Sequence, residues 1–201
     1  MKCLFCQFYK GQEVNKKEEL SDNKWIEIVK EACDLGVEKF QVMGLGEALC
    51  RKRLTIRIMK KIKKEERVGS LLTNGTLFDE ASIRNIVEIG WDEILFSIDG
   101  PDAKTHDYLR GVKGTFDRVI KNLELFNKYK KKYKTDLPKI VIAPLLTRLI
   151  YNRLEDFIEL AKRVEAQEIC LQLMIEKTKD CKNLKLSEEE TKTLKEVLIK
   201  A

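Results

Sequence analysis

Cys3 and Cys6, in the opening stretch "MKCLFCQFY", stand at the spacing of half a metal site. Two thiolates so placed suit zinc, an iron–sulfur cluster or a redox pair, and equally a chain in which they do nothing. Zinc needs two further ligands. The sole histidine is His106, and no second C-x-x-C exists, so a zinc ribbon is poorly supported. A thioredoxin-like pair lies between a strand and a helix, and two residues ahead of Cys3 form no strand.

Two further stretches carry polar groups suited to binding. In "GLGEAL", Gly44 and Gly46 let backbone approach a ligand closely, and Glu47 offers an acceptor for an ammonium group. A tight strand-to-helix turn would use the same glycines. In "ILFSIDG", Ile94, Phe96 and Ile98 alternate onto one face, while Leu95, Ser97 and Asp99 share the other and turn polar toward the carboxyl end. Capping of the following turn is the structural alternative.

The elements that must position these groups alternate along the chain. "VEKFQVM", "VGSLLTNG", "DEILFSIDG", "KIVIAPLL" and "EICLQLMI" read as five strands, each followed by helical sequence. Trp25, Ile28, Val29, Ala32 and Leu35 recur at helical spacing and Gly36 stops the run. Asp79 caps a helix ending at Gly90, one long helix carries Phe116 to Phe126, and Ser187 with Glu190 forms a capping box. Such alternation predicts a parallel sheet with helices outside. A complete eight-stranded barrel takes about 250 residues, so 201 residues predict an open or partial barrel, with a doubly wound sheet as the alternative.

With these motifs in order, the sequence resembles the radical S-adenosylmethionine (radical SAM) superfamily over nearly its whole length. Cys3-Leu4-Phe5-Cys6 matches the second half of the family's C-x-x-x-C-x-aromatic-C signature, and "GLGEAL" is similar to its Gly-Gly-Glu-Pro motif, with Ala48 for Pro. "LLTNGTLFDE" and "ILFSIDGPDAKTHDYLRGVKGTFDRVIKNLELF" are similar to strand regions of members that modify peptides or build cofactors. The resemblance implies an α/β fold, a partial TIM-like (β/α) barrel lacking the first strand. It would occupy 1–201 as one domain, with barrel units over about 1–180 and a C-terminal helix over 187–200.

The resemblance further implies a 4Fe-4S cluster held through Cys3 and Cys6, and S-adenosylmethionine on the cluster's open iron. Reductive cleavage there yields a 5′-deoxyadenosyl radical that abstracts hydrogen from a peptide or cofactor-precursor substrate. By motif matching, Phe5 lies at the adenine, and Gly44, Leu45, Gly46 and Glu47 at the methionyl ammonium. Ser97 and Asp99 lie at the ribose or carboxylate, and Arg110 pairs with the carboxylate. An electron donor such as flavodoxin or ferredoxin is the implied partner. The family's first cysteine would lie two positions before Met1, so the given start is expected to be misassigned or truncated. A scaffold paralogue without the cluster is the alternative reading. Until an upstream strand is supplied, "VEKFQVM" is expected to present an open edge.

Bulk composition narrows the rest. With 43% hydrophobic and 36% charged residues the chain reads as globular, and its net charge of +6 is modest. The lysine runs 60–64 and 130–132 read as solvated helix faces; no aromatic residues interleave to stack bases, which disfavours nucleic acid. No signal-peptide pattern is present and no apolar run nears the roughly 18 residues of a membrane span, so a cytoplasmic protein with reduced cysteines is expected. Cys33 and Cys170 are expected in the core and His106 on a loop or helix surface. Cys50, just after "GLGEAL", is a candidate third ligand, and Cys181 has no assigned role.

Overall fold

The computed structural model describes residues 1–6, 19–44, 46–174 and 179–200. The strands are β1 (Lys39–Val42), β2 (Val68–Thr73), β3 (Glu93–Phe96), β4 (Lys139–Ile142), β5 (Leu145–Leu146), β6 (Glu168–Ile169) and β7 (Gln172–Leu173). The helices are α1 (Asp22–Asp34), α2 (Lys52–Lys64), α3 (Glu80–Glu88), α4 (Ala103–Arg110), α5 (Thr115–Tyr133), α6 (Leu154–Arg163), α7 (Lys179–Lys182) and α8 (Glu188–Lys200). Five strands make one parallel sheet in the order β1-β2-β3-β4-β6. With helices between them, this is the α/β partial barrel that strand–helix alternation predicts.

Register sets where the site can form. Thr73 pairs with Phe96, Phe96 with Ile142 and Ile142 with Ile169, so the carboxyl ends of four strands fall on one line. The ladder runs one step further, through Ser97 N–H to Thr73 O (2.9 Å), Ala143 N–H to Phe96 O (2.8 Å) and Cys170 N–H to Ile142 O (2.8 Å). There the strands predicted as single units break. Pro144 cannot donate to a ladder, and "KIVIAPLL" splits into β4 and β5. "EICLQLMI" splits at the matching place, and β7 pairs with β5 in a second two-stranded sheet. Cys170 therefore sits half-buried at this kink rather than in the core.

The core is apolar where the helical and strand periods coincide. Phe78, Phe96 and Phe126 form an aromatic cluster with ring centroids 5.1–5.9 Å apart. Ile83, Ile86, Val119 and Leu123 complete the packing of α3 and α5 on the sheet. The predicted caps are present: Asp79 and Ser82 form a capping box on α3, and Ser187 with Glu190 caps α8. The predicted α1 stripe is only partly right, because Val29 and Cys33 are buried while Trp25 and Leu35 face outward. The long predicted helix is preceded by a separate one, α4, capped by Asp102 and ended by Gly111 at φ +64°. Asp107 of α4 accepts from Thr115 Oγ1 and Phe116 N–H, capping α5 and fixing the break.

The basic runs behave as solvated faces with one exception. Lys52 pairs with Asp79, Lys63 with Asp92 and Lys60 with Asn85, whereas Lys130 is buried against α5's own surroundings. Among the described residues no helix is long and apolar enough to cross a membrane.

Gly69 of β2 lies against Trp91, itself fully buried. An added Cβ would fall 2.0 Å from the ring. Gly69→Ala is therefore expected to cost about 1–3 kcal/mol through overpacking. Urea unfolding checks this: a lower midpoint with unchanged slope is expected, and an unmoved midpoint would contradict the packing.

Candidate cofactor site

The cysteine turn is built from the backbone upward. Lys2 N–H donates to Arg110 O (3.1 Å), Leu4 N–H to Leu109 O (3.0 Å), and Cys6 N–H to Cys3 O (3.1 Å). The first residues are thus laid along the carboxyl end of α4 and then turned so that both cysteines belong to one loop. Gly111 makes the approach possible, since a Cβ there would sit 2.3 Å from Lys2 O.

Arg110 connects this turn to the sheet. Its Nη1 lies 3.7 Å from Cys3 Sγ and its Nη2 donates to Ser97 O at 2.6 Å. Nη2 also lies 2.6 Å from Asp99 Oδ2, an ion-pair contact outside hydrogen-bond angles, with the side chains 9% and 1% exposed. The guanidinium stands 5.6 Å from the centroid of the Phe5 ring. On the other side of the turn, Cys181 Sγ is 3.9 Å from Phe5 O. Arg110 is therefore no surface arginine.

Asp99 is held on three sides. Its Oδ1 accepts from Leu145 N–H at the start of β5 (2.9 Å), and its own N–H donates to His106 Nδ1 (3.2 Å). Burial pushes its carboxyl above the ordinary range, with Arg110 and the Leu145 N–H opposing. Burial likewise raises the Cys3 thiol, against the lowering influence of Arg110. His106 is fully buried beside Phe116, not at the surface as expected. Accepting at Nδ1 leaves its hydrogen on Nε2, which has no hydrogen-bond partner. Desolvation, with Arg110 nearby, depresses its pKa to about 3.

The second loop is stapled to β2. Glu47 Oε1 accepts from Thr73 Oγ1 (2.6 Å) and Leu49 N–H (3.2 Å), and Oε2 from Asn74 N–H (2.8 Å). Gly44 and Gly46 are exposed, and a Cβ on Gly46 would meet nothing within 4 Å. Leu45 lies outside the described residues. The structure brings together Cys3, Cys6, Phe5, Ser97, Asp99 and Arg110, and places Glu47 at the same end of the sheet, beside Thr73. Thr73 and His106 were not foreseen; a Thr closing a strand before Asn-Gly was the available signal for the first. Cys50 is exposed and Cys33 buried.

The arrangement is a pair of cysteine side chains in one turn, with the buried Arg110 guanidinium beside Cys3. Arg110 Nε is buried without a hydrogen-bond partner. Among the described residues no three metal-ligating side chains converge.

Comparison with known proteins agrees. The family model described as the Radical SAM superfamily matches residues 1–161. The chain is 29% identical to the PqqA peptide cyclase of Granulibacter bethesdensis over 107 residues, 53% of this chain and 28% of that protein. It is 28% identical to the GTP 3′,8-cyclase of Synechocystis over 179 residues, 87% of this chain and 50% of that one. The crystal structure of Streptococcus suis SuiB bound to S-adenosylmethionine superposes with a TM-score of 0.78 at 20% identity, covering 98% of this chain and 44% of that one. The chain thus spans half or less of the length of these relatives.

The buried neutral His106 makes stability pH-dependent in a defined sense. Its folded pKa lies below the unfolded value, so its contribution is complete above about pH 6.5 and is lost as pH falls toward 3. Between pH 7 and 5 the loss is about 2 kcal/mol. His106→Gln, which can still accept from Asp99 N–H, is expected to flatten that decline. Equal pH dependence in the two proteins would contradict the assignment.

Proposed function

We infer function from one premise: the chain belongs to the radical SAM superfamily. It is the core of an enzyme that holds a 4Fe-4S cluster and S-adenosylmethionine at the carboxyl ends of its parallel strands. The observation that carries this reading is the Cys3–Cys6 turn, docked on α4 beside a buried Arg110 whose Nε has no partner. Three thiolates hold the family's cluster. Cys3 and Cys6 supply two of them, and a complete site needs a third.

When bound, the two groups supply reductive cleavage of the sulfonium bond and a 5′-deoxyadenosyl radical for hydrogen abstraction. The chain's own residues bind and orient. Glu47, fixed by Thr73 and Asn74, keeps lone pairs for an ammonium group, and the exposed Gly44 and Gly46 give backbone access beside it. The Ser97 side chain and Arg110 Nε serve a carboxylate or ribose, and Phe5 offers a ring face for adenine. Asp99 is too deep to touch a ligand and serves through its neighbours. Substrate is a peptide or a cofactor precursor; the names of two cyclase relatives describe a peptide and GTP as what they act on. A small reducing protein supplies the electron.

The test is anaerobic iron–sulfide reconstitution of the chain extended by a segment that places a cysteine four positions before Cys3. Iron, sulfide and 5′-deoxyadenosine are then assayed with S-adenosylmethionine and a chemical reductant. A near-stoichiometric cluster and 5′-deoxyadenosine are expected, both lost in Cys3→Ala and in Cys6→Ala. Failure of the extended chain to form either would overturn the reading in favour of a scaffold.

A further inference from the structure

Cys6 N–H donates to Cys3 O at 3.1 Å, so residues 3–6 close a four-residue turn. Such a turn keeps its outer Cα atoms within about 7 Å, and a disulfide spans about 4.4–6.8 Å between Cα atoms. The turn is also held from outside. Lys2 N–H and Leu4 N–H, on either side of Cys3, bond to Arg110 O and Leu109 O, so the backbone is ordered before any sulfur chemistry begins. Both thiols are free and partly exposed, within reach of a small reagent.

The other cysteines lack one of these features. Cys33 and Cys181 are buried, where thiols are inert, and the Cys181 thiol meets Phe5 O at 3.9 Å. Cys50, on the short turn Ala48–Arg51, and Cys170, at the strand kink, each have no second cysteine in their own segment. Closure of the Cys3–Cys6 ring gives up one contact, between Cys3 Sγ and Arg110 Nη1 at 3.7 Å, and sulfur is a weak acceptor. Arg110 keeps Ser97 O and Asp99, so the turn stays docked.

Independently of the cluster reading, we propose that Cys3 and Cys6 form a reversible disulfide in the metal-free chain, with a small disulfide such as oxidised glutathione as the oxidant. One thiolate attacks the glutathione disulfide and releases the first glutathione; the second cysteine then displaces the other. The chain gives up two protons and two electrons, and one glutathione disulfide becomes two glutathione thiols. The new ring lies within one turn, so it joins no separate elements, and it withdraws both sulfurs from any metal group. In a reducing compartment such a bond is transient rather than structural.

The experiment uses the 201-residue chain, stripped of metal with a chelator. It is equilibrated without oxygen against mixtures of reduced and oxidised glutathione, then acid-quenched, alkylated and digested. Cys3 and Cys6 share one tryptic peptide, residues 3–10, so the internal disulfide reads as the loss of two hydrogens from that peptide. The same titration in urea reports the unfolded chain, where the spacing is unchanged but the turn is gone. The equilibrium constant for closure is expected to be at least about tenfold larger in the folded chain, because the turn is already ordered. By linkage, the oxidised chain should also unfold at higher urea than the reduced one. An equal or smaller constant in the folded chain, or an unmoved urea midpoint, would overturn the proposal. So would separate glutathione adducts on the two cysteines, or a cross-link from either to Cys181. The cluster reading is tested on the extended chain, so either can fail without the other.

Discussion

The buried ion pair between Asp99 and Arg110 is the constraint on which the site depends. Two charges this far from water need good partners on every side, and removing one typically costs about 3–5 kcal/mol. The pair has several such partners, drawn from separate elements, with Arg110 Nε and Asp99 Oδ2 left without hydrogen bonds. Leu145 N–H belongs to β5, Ser97 O to the end of β3, His106 and Arg110 to α4, and Cys3 to the first turn of the chain. One electrostatic requirement thus fixes the cysteine turn, a helix and two strand ends relative to one another.

The parallel sheet makes the pair possible. Aligned register brings four strand ends to one line, and the break at Pro144 turns β5 so that its first N–H meets Asp99 instead of continuing the ladder. Glu47 performs the matching task on the neighbouring strand, tying the glycine loop to Thr73 and Asn74. Polar groups at the strand ends hold Glu47 and the cysteine turn from below. A site of this kind suits a cofactor that must be gripped at several polar points while its reactive bond is kept in one place.

Much of this was legible in the sequence because hydrophobic period reports sheet and helix faces directly. Ile94, Phe96 and Ile98 alternate inward as read, and the caps at Asp79 and Ser187 stand where their residue types place them. The family signature located the cysteine turn and the glycine loop. What escaped was α4. Its signals are present, Asp102 at the start and Gly111 after the end, but the apolar stripe of α5 drew the reading past them. With α4 missed, His106 looked like a surface residue. A pairing of Asp99 with Arg110, eleven positions apart across a turn and a helix, has no period to betray it. Neither does Cys170, whose place at the rim follows from a strand break set by Pro144 in another strand.

The central claim is that the Asp99–Arg110 pair holds the cysteine turn onto α4. Amide hydrogen exchange at Lys2 and Leu4 tests it most directly, because their N–H groups bond to Arg110 O and Leu109 O. Comparison of the unsubstituted chain with Asp99→Asn should show those two amides exchanging at least about tenfold faster in the variant, while core amides such as Leu71 and Ile94 keep their protection. Unchanged exchange at Lys2 and Leu4, in a variant whose core remains protected, would contradict the account.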